Sequence, residues 1–546
     1  MESTVDPTIK NSRPATHNLT DIEKQASTHL STPSSPSSPS PQPTSPPLLS
    51  HLRQWNAHIE SLSGFEARGI TRVLPSERQT PSRAAYLQMV ILWFGVNITI
   101  NNLVVGLYGP LLFQLGFLDA SLCAVGGVAL GAACTAYMST WGAVSGCRTL
   151  VSRLFEANIG ILELTIGLKV VVRFFMGYWP SRICVLLNVI LMEGYCTVTA
   201  IIGGQILAAV SGGTMTIAVG IVVVSIAVMI VAVVGLKVFH VYERYAWLPQ
   251  ILALSILIGS AGPSFSTSLA SAGSPAQIAA NRLSFFSLCF YVPTSWGAAS
   301  SDYYVYYPEK TSKWKTFFLT WTGLTFSFCF VDMLGIGIAS GIATHPEWED
   351  AYNISIGALL TVTYAPLGHF GNFCAVVLAL GLIANSIPGT YSAALNCQMM
   401  GRAWKVVPRW IWTVALVVVQ LACALAGRNK VFVVFQNLLA LMGYWLTIMI
   451  CIVAEEHVLF QKARALAIDW AAWEEQRKLP VGVAALVAFL LGWMGAILGM
   501  YQVWYVGPLA KLVADTGADV GVWVGCGFAL VAFPPLRLLE LRLVGR

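Results

Sequence analysis

Residues 283–308 read LSFFSLCFYVPTSWGAASSDYYVYYP, an apolar run with two helix breakers and a polar ending. Pro293 and Gly297 interrupt helical hydrogen bonding, and the polar run 300–302 follows them. Membrane helices tolerate such breakers where neighbouring helices satisfy the freed backbone groups. This stretch therefore predicts an interrupted membrane helix, in which polar side chains face a cavity or a partner helix.

The whole chain has the composition of a polytopic membrane protein. Its 546 residues are 56% apolar and only 11% charged, whereas soluble chains average about 25% charged residues. From residue 86 onward, apolar segments near or above membrane-spanning length follow one another, which predicts an all-α protein with about twelve transmembrane helices. Segments one to twelve span roughly 86–115, 119–143, 181–208, 214–238, 245–262, 283–300, 315–341, 371–399, 408–427, 431–453, 481–506 and 516–536.

Lysine and arginine are unevenly distributed between the loops. If both termini are cytoplasmic, the five inner loops and the segment ends beside them carry 17 of these residues, and the six outer loops carry four. Cytoplasmic loops are enriched in basic residues, so the distribution predicts cytoplasmic termini and an even number of helices. The tripeptide Asn353-Ile354-Ser355 then lies outside, which makes Asn353 a candidate glycosylation site.

The two ends of the chain lie outside the apolar segments. Residues 1–85 include a stretch dominated by Ser and Pro at 27–50, which cannot bury enough apolar area to offset its ordering entropy. We expect a disordered cytoplasmic tail, either phosphorylated or inert, without a cleavable signal peptide. Residues 537–546 form the predicted cytoplasmic C-terminus.

The twelve cysteines lie mostly within or beside apolar segments, where free thiols pack as small apolar side chains. The sequence has no zinc-type Cys/His spacing and no glycine-rich phosphate-binding loop. It also has no paired nucleophile and base near one face of the membrane. We therefore expect no enzyme activity, no resident metal or cofactor and no nucleic-acid partner.

Several motifs between Gly64 and Gly401 give the chain a resemblance to a known family. The motifs are Gly69-Ile70-Thr71-Arg72-Val73, Trp93-Phe94-Gly95-Val96-Asn97, Gly235-Leu236-Lys237-Val238-Phe239-His240-Val241-Tyr242-Glu243-Arg244-Tyr245, Trp296 with Asp302-Tyr303-Tyr304-Val305-Tyr306-Tyr307-Pro308, Asp332-Met333-Leu334-Gly335, and Ile383-Ala384-Asn385-Ser386-Ile387-Pro388 with Tyr391-Ser392. Together they resemble the purine-cytosine permeases, the fungal branch of the nucleobase–cation symporter-1 family.

The resemblance implies a particular architecture. Ten helices, over 86–399 and 408–453, would form two inverted five-helix repeats, with two peripheral helices at 481–536. In such folds the substrate lies near the membrane midplane, between broken helices one and six. Segment one supports this independently, because Gly95 and Asn97 precede a polar run as Pro293 and Gly297 do in segment six.

The predicted substrate-binding residues combine one aromatic ring with polar groups. Trp296 matches a family position where an aromatic ring stacks on a flat substrate. The other candidates are Gly95, Asn97, Tyr195, Thr199, Asn385 and Gly389.

Several of these positions differ from the family pattern. The family often has Ser at position 95, Trp at 195, and Asn at 199 and 389. An amide offers a donor and an acceptor to a heterocycle edge, whereas the glycine at 389 offers neither from a side chain. The substrate therefore stays open between a nucleobase, a vitamin-B6-type pyridine, a nucleoside and a fungal specialised metabolite whose transporter is encoded in a biosynthetic gene cluster.

Three carboxylates are candidates for ion coupling. Glu193 lies in segment three, Asp332 in segment seven and Asp302 at the end of segment six. A carboxylate inside the membrane is a functional hypothesis by default, and proton symport is what the resemblance implies, with sodium as the other ion. The alternative is a structural role, pairing with a backbone group or with Arg282, and Asp302 fits an ordering role best.

Residues 151–169 do not fit the family pattern. Deleting them joins Arg148-Thr149-Leu150 to Val170-Val171-Val172-Arg173 and restores it. The stretch begins with Val-Ser and ends with Lys169, which is compatible with the ends of a retained intron. The alternative is a genuine insertion that forms an amphipathic cytoplasmic segment.

The resemblance implies a secondary active, proton-coupled importer of a small planar heterocycle in the plasma membrane. Export of a specialised metabolite by the same fold, and a receptor that binds without translocating, remain alternatives. The sequence does not predict an oligomeric state.

Overall fold

The described part of the chain covers the predicted membrane region. The structure, a computed structural model, describes Arg78, 80–147, 171–233, 236–400, Trp404, 407–462, 468–470, Ala472, 475–514 and 516–546, without the side chains of 236–244, 399 and 462. The predicted tail up to residue 77 and the stretch 151–169 lie outside the described residues.

The described residues are almost entirely helical. The transmembrane segments contain α1 (Arg83–Asn97), α2 (Ile100–Leu111), α3 (Phe117–Ser145), α5 (Pro180–Val210), α6 (Ile217–Val233), α7 (Leu236–Ala261), α8 (Pro275–Ser295), α9 (Lys313–Ile342), α12 (His369–Met399), α13 (Arg409–Gly427), α14 (Val431–Glu455), α15 (Val483–Gly499) and α16 (Gly521–Val544). The connections contain α4 (Arg173–Met176), α10 (Pro346–Ile354), α11 (Ile356–Thr363) and a hairpin of β1 (Tyr501–Gln502) and β2 (Tyr505–Val506).

Each of the twelve predicted segments contains a helix. Within the described ranges, eight helices are long and apolar enough to cross a membrane, and α1 and α2 form a further span bent by 62°. The helices α6 and α15 are apolar but shorter. The chain is therefore an all-α, multi-pass membrane protein, as the composition predicts.

The packing of the first ten segments repeats after five. In this repeat, segments one to five correspond to segments six to ten. Segment one packs on segment seven, and segment six packs on segment two. Likewise, segment three packs on segment four, and segment eight packs on segment nine. Segment three also contacts ten as eight contacts five. Since five is an odd number of crossings, corresponding helices run in opposite directions, which makes the repeats inverted.

A buried ionic cluster joins the peripheral helices to segment ten. Arg537 of α16 donates from Nε and Nη2 to the two oxygens of Glu456, at 2.8 and 2.9 Å, just beyond the end of α14. Its Nη1 donates to Glu540 at 3.1 Å. Glu540 in turn accepts from the backbone N–H groups of Gly482 and Val483, where α15 begins. All three charged groups are therefore partnered.

A second polar cluster holds the opposite end of these helices. Asp519, between β2 and α16, accepts from the Tyr444 hydroxyl at 2.8 Å and from the Gly521 N–H at 3.0 Å. Gln502 of the hairpin donates to it at 3.3 Å. The hairpin and α16 are thereby attached to α14.

Several helix boundaries differ from the sequence expectation, and two of them lie in the peripheral helices. The last helix continues to Val544, beyond the predicted end at 536, because Arg537 and Glu540 are paired inside the protein. Helix α15 ends at Gly499, and residues 501–506 form the hairpin instead. All twelve cysteines are free thiols, which confirms the prediction from their positions.

The Arg537 cluster gives a test of the peripheral attachment. Arg537→Met leaves two carboxylates without their cation, and removing one partner of a buried ion pair costs about 3–5 kcal/mol. We expect a clear decrease in the unfolding temperature of the purified protein. Arg542→Met, at an exposed position on the same helix, is the matched control and should change little. Equal unfolding temperatures for the two variants would contradict the proposed role of the cluster.

Candidate substrate site

Segment one is broken between Asn97 and Ile100, and its own side chains satisfy part of the freed backbone. The amide nitrogen of Asn97 donates to the carbonyl of Trp93 at 2.8 Å. The amide nitrogen of Asn102 donates to the carbonyl of Asn97 at 2.7 Å. In a membrane these carbonyls have no water to accept from, so side-chain donors stabilise the break.

Neighbouring helices satisfy the other carbonyls at this break. Ser327 of α9 donates its hydroxyl to the carbonyl of Phe94 at 2.7 Å. Asn385 of α12 donates to the carbonyl of Val96 at 3.0 Å. The break is therefore fixed between segments seven and eight, and Asn385 has a structural partner in addition to its predicted role.

Segment six is broken at the corresponding place. Helix α8 ends at Ser295, and the turns Trp296–Ala298 and Ser300–Tyr304 continue as 3₁₀ helix. Thr135 of α3 donates its hydroxyl to the carbonyl of Pro293 at 2.7 Å. The proline lacks an N–H, so the helix is weakened in its last turn, as the sequence predicts.

One hydrogen bond joins the two breaks. The indole N–H of Trp296 donates to the side-chain oxygen of Asn97 at 2.7 Å. The Trp296 ring also meets the Trp93 ring edge-on, with 5.7 Å between centroids and 90° between planes. These two contacts fix the orientation of the ring, and because Trp296 is only half-buried, part of the ring is accessible.

A cavity of about 80 Å³ lies between the breaks. Helices α1, α2, α5, α8 and α12 contribute to its wall. Six of the seven predicted substrate-binding residues line it, namely Asn97, Tyr195, Thr199, Trp296, Asn385 and Gly389. That these residues bind a substrate stays a prediction, but the fold brings them together around one space.

The cavity wall offers hydrogen-bonding groups that the protein does not use. The Tyr195 hydroxyl is 3.4 Å from the Ser295 hydroxyl, and Asn101 donates to the Thr199 hydroxyl at 3.3 Å. The side-chain oxygens of Asn101 and Ser386 are buried and have no hydrogen-bond partner among the described residues. A buried polar atom without a partner costs about 1–3 kcal/mol, so a ligand that pairs with these atoms would be favoured.

Gly389 faces the cavity from α12, and even a methyl group at this position would crowd its neighbour. A Cβ at this position would lie 3.0 Å from Sγ of Cys196 on α5. Any larger residue at 389 would therefore displace Cys196 or enter the cavity. The glycine and the cysteine together set the shape of this wall.

Gly95 lies on the other side of segment one. It lines a second cavity of about 90 Å³, with Trp247 and Gln250 of α7 in the opposite wall. A Cβ at Gly95 would lie 2.8 Å from Cβ of Trp247. Gly95 therefore allows α1 and α7 to approach, while Val96 and Asn385 line both cavities.

An aromatic cluster ties α1 to the turns after α8. The Trp93 indole N–H donates to the Tyr304 hydroxyl at 3.2 Å, and the Trp93 ring lies 4.3 Å from the Tyr303 ring. The Tyr304 hydroxyl also pairs with Thr320 of α9 at 2.7 Å. These contacts use the tyrosines of the 302–308 motif and hold the two broken segments together on the side where α1 begins.

None of the three candidate carboxylates lines the first cavity. Both side-chain oxygens of Glu193 are buried without a hydrogen-bond partner in the described residues, and so is Oδ1 of Asp332. The Asp332 backbone carbonyl lies directly against Gly106 of α2. Asp302 is buried in the second 3₁₀ turn. The predicted glycosylation site Asn353 is exposed on α10.

Two buried asparagines were not among the predicted residues. Asn188 precedes Met192, Tyr195 and Thr199 on α5 at intervals of four, seven and eleven residues, so it lies on the cavity-facing side of the helix. Asn396 continues the 385, 389 and 392 positions of α12 in the same way. Both side chains are fully buried, and neither has a hydrogen-bond partner among the described residues. This helical spacing was the available signal.

The chain has known relatives whose sequences align with most of its length. The purine-cytosine permease fcyB of Emericella nidulans is 32% identical over 484 residues, which cover 88% of this chain and 90% of that protein. The vitamin B6 transporter TPN1 of Saccharomyces cerevisiae is 29% identical over 556 residues, with 92% and 93% covered. No protein-family model matches the chain.

Solved structures support the fold. Mhp1, a nucleobase–cation symporter-1 family transporter, in a closed conformation with bromovinylhydantoin bound, superposes with a TM-score of 0.58. The match covers 87% of this chain and 96% of that one at 12% identity, so it concerns the fold alone. An inward-facing structure of Mhp1 gives the same TM-score.

The relatives are named permeases or transporters, and the alignments cover nearly the full length of each. The broken helices and the two repeats agree with the architecture that the motifs imply. The chain is therefore a multi-pass membrane transporter rather than an enzyme, and it belongs to the purine-cytosine permease family.

Proposed function

We propose that this protein is a proton-coupled importer of a nitrogen heterocycle related to the nucleobases. The observation that carries the proposal is the Trp296 ring, held by Asn97 beside a cavity between two broken helices. A fixed aromatic ring favours a flat substrate because stacking adds attraction beyond area burial. The relatives transport purines, cytosine or vitamin B6, as their names state.

The polar wall supports a substrate with both donors and acceptors on its edge. Asn101 and Ser386 offer side-chain oxygens that have no hydrogen-bond partner in the described part of the chain, and Tyr195 and Thr199 add hydroxyl groups. A substrate that leaves such groups unpaired would be rejected strongly, because buried polar atoms are costly without partners. Purines and cytosine carry ring nitrogens, amino groups or carbonyls that could pair with them.

A vitamin-B6-type pyridine is the second candidate, and one feature of the cavity favours it. Gly389 provides no amide where the family often has one, while Tyr195 and Thr199 provide hydroxyls. A hydroxyl pairs equally well with ring substituents that are themselves hydroxyls. The 29% identity with the vitamin B6 transporter also extends over 92% of this chain.

Proton coupling is assigned to the buried carboxylates. Among the described residues, Glu193 has no hydrogen-bond partner for either oxygen, so it carries either a proton or an uncompensated buried charge, and the second is very costly. Asp332 lies where α9 meets α2, the second half of broken segment one. Proton binding at these groups, together with substrate binding, would shift the population between states open to opposite sides.

We propose import through the plasma membrane, in the orientation that the distribution of basic residues favours. The predicted inner loops, which are rich in basic residues, connect helix ends on the side where α1 begins and α16 ends, and we assign that side to the cytoplasm. Both termini are then cytoplasmic, and Asn353 lies outside.

Trp296→Ala tests the aromatic contact. Stacking on a nucleobase is worth about 1–3 kcal/mol, so we expect uptake at low substrate concentration to fall by about tenfold or more, with normal surface expression. Uptake of labelled substrate in cells that lack their own permeases measures this. Trp504→Ala, at an exposed position of the hairpin, should behave like wild type. Normal uptake by Trp296→Ala would remove this ring from the site.

Glu193→Gln tests proton coupling. We expect wild-type uptake to increase as external pH falls. A glutamine keeps the shape but cannot exchange a proton, so this increase should become shallower in the variant. Uptake measured between pH 4.5 and 7.5 checks this. Glu349→Gln, at an exposed position on α10, is the control. A pH profile of Glu193→Gln equal to that of wild type would make Glu193 a structural residue.

Gly389→Asn, measured with competing purines, pyrimidines and pyridoxine, separates the two substrate classes. The added amide should favour nucleobases over pyridoxine about fivefold or more, since a well-placed hydrogen bond is worth about 1 kcal/mol or more. The double variant with Cys196→Ala provides room for the side chain. Gly259→Asn, where nothing lies nearby, is the control. Failure of wild type to transport any of these compounds would contradict the proposed substrate class.

A further inference from the structure

An open groove of about 470 Å³ runs between α1 and α9 on the outside of the bundle. Tyr86 and Val90 line it from α1, and Lys315, Phe318 and Thr322 line it from α9. The lining residues include no acidic side chain. The groove is separate from the two internal cavities, which share none of these residues.

The flank of this groove has the character of a lipid-facing surface. Trp314 and Phe318 are 69% and 52% exposed, and in a polytopic membrane protein such large apolar side chains contact acyl chains. Lys315 Nζ lies 5.6 Å from the centre of the Tyr86 ring, which places the cation at the mouth of the groove. Lysine at such a position extends its charge to the membrane interface along an apolar surface.

A second cation lies at the same end. Helix α1 begins at Arg83 and α9 begins at Lys313, at the same end of the bundle. Arg83 precedes Tyr86 and Val90 by three and seven residues, so the three share one face of α1. Arg83 and Lys315 are both exposed. Lys315 lines the groove, and Arg83 lies one turn before the first lining residue of α1. Two positive charges therefore lie at or beside the polar end of the groove, which has an apolar floor along its length.

We propose that this groove binds an anionic phospholipid from the leaflet at the basic end of the bundle. The phosphate-bearing headgroup pairs with Arg83 and Lys315, and one acyl chain lies along Val90 and Phe318. A soluble anion would satisfy the charges but would leave the apolar floor uncovered. The charge and the shape of the groove together select a lipid.

Binding here connects lipid composition to the broken helix. Helix α1 carries Trp93 and Asn97, which hold Trp296, while α9 carries Ser327, which fixes the break. A headgroup that bridges α1 and α9 stabilises their present packing. Anionic lipid should therefore raise the unfolding temperature of the protein, whatever substrate it transports.

The test uses the full chain in phosphatidylcholine nanodiscs with increasing phosphatidylserine, and it measures retained lipid by native mass spectrometry. A basic residue that pairs with an anionic lipid headgroup contributes about fivefold to binding of that lipid. The double variant Arg83→Gln/Lys315→Gln should therefore bind phosphatidylserine roughly 25-fold more weakly and lose the thermal stabilisation. The control, Lys310→Gln/Arg477→Gln, removes two exposed charges outside the groove and should behave like wild type.

Two results would overturn the proposal. One is equal phosphatidylserine affinity in the wild type and the Arg83→Gln/Lys315→Gln variant. The other is equal stabilisation by soluble glycerophosphoserine, which would show that the charges bind a free anion without the acyl chain. Phe318→Ser adds an independent check, because it leaves both cations in place and should still weaken binding of the lipid. Neither readout measures transport, so the outcome is separate from that of the proposed function.

Discussion

Backbone carbonyls exposed by a helix break inside the membrane must find donors within the protein, and this constraint organises the centre of the molecule. In segment one, Asn97 and Asn102 supply donors from the broken segment itself, while Ser327 and Asn385 supply them from segments seven and eight. Thr135 does the same for segment six. Each break therefore depends on specific side chains of neighbouring helices, and the cavity lies where those side chains converge.

The hydrogen bonds that each side chain already makes separate the residues that build the site from the residues available to a substrate. Asn97 donates to Trp93 and accepts from Trp296, so its amide mainly orients the indole. Asn385 uses its donor on a backbone carbonyl. The oxygens of Asn101 and Ser386 have no such use among the described residues. Direct hydrogen bonding to a substrate therefore falls more naturally to these two residues, together with the Tyr195 hydroxyl, than to Asn97. The Thr199 hydroxyl lines the cavity but already donates to the Tyr195 carbonyl at 2.8 Å and accepts from Asn101.

Much of this arrangement could be predicted from the sequence, and the remainder has a physical reason for being missed. Hydropathy and basic loops gave the twelve segments, and paired helix breakers indicated segments one and six. The direction in which Gly95 points depends on the rotation of α1 against Trp247, which hydropathy does not encode. Asn188 and Asn396 were missed because a buried amide in an apolar helix has no distinctive local pattern until its helix face is known. The extent of the last helix depended on Arg537 finding partners in distant parts of the chain.

The carboxylates of the membrane region also differ in whether the protein supplies them with hydrogen-bond or ionic partners. Glu456 and Glu540 share Arg537, and Asp519 accepts from hydroxyl, amide and backbone donors. Those groups are stabilised in place and attach the peripheral helices to segment ten. In the described residues, Glu193 is the carboxylate with both oxygens buried and unpartnered. An isolated buried charge is too costly to persist, so this group can carry a charge only when a movement of the surrounding helices brings water or a cation to it. A carboxylate with a fixed cation has no such dependence, which is why we propose Glu193, rather than the paired acids, for proton coupling.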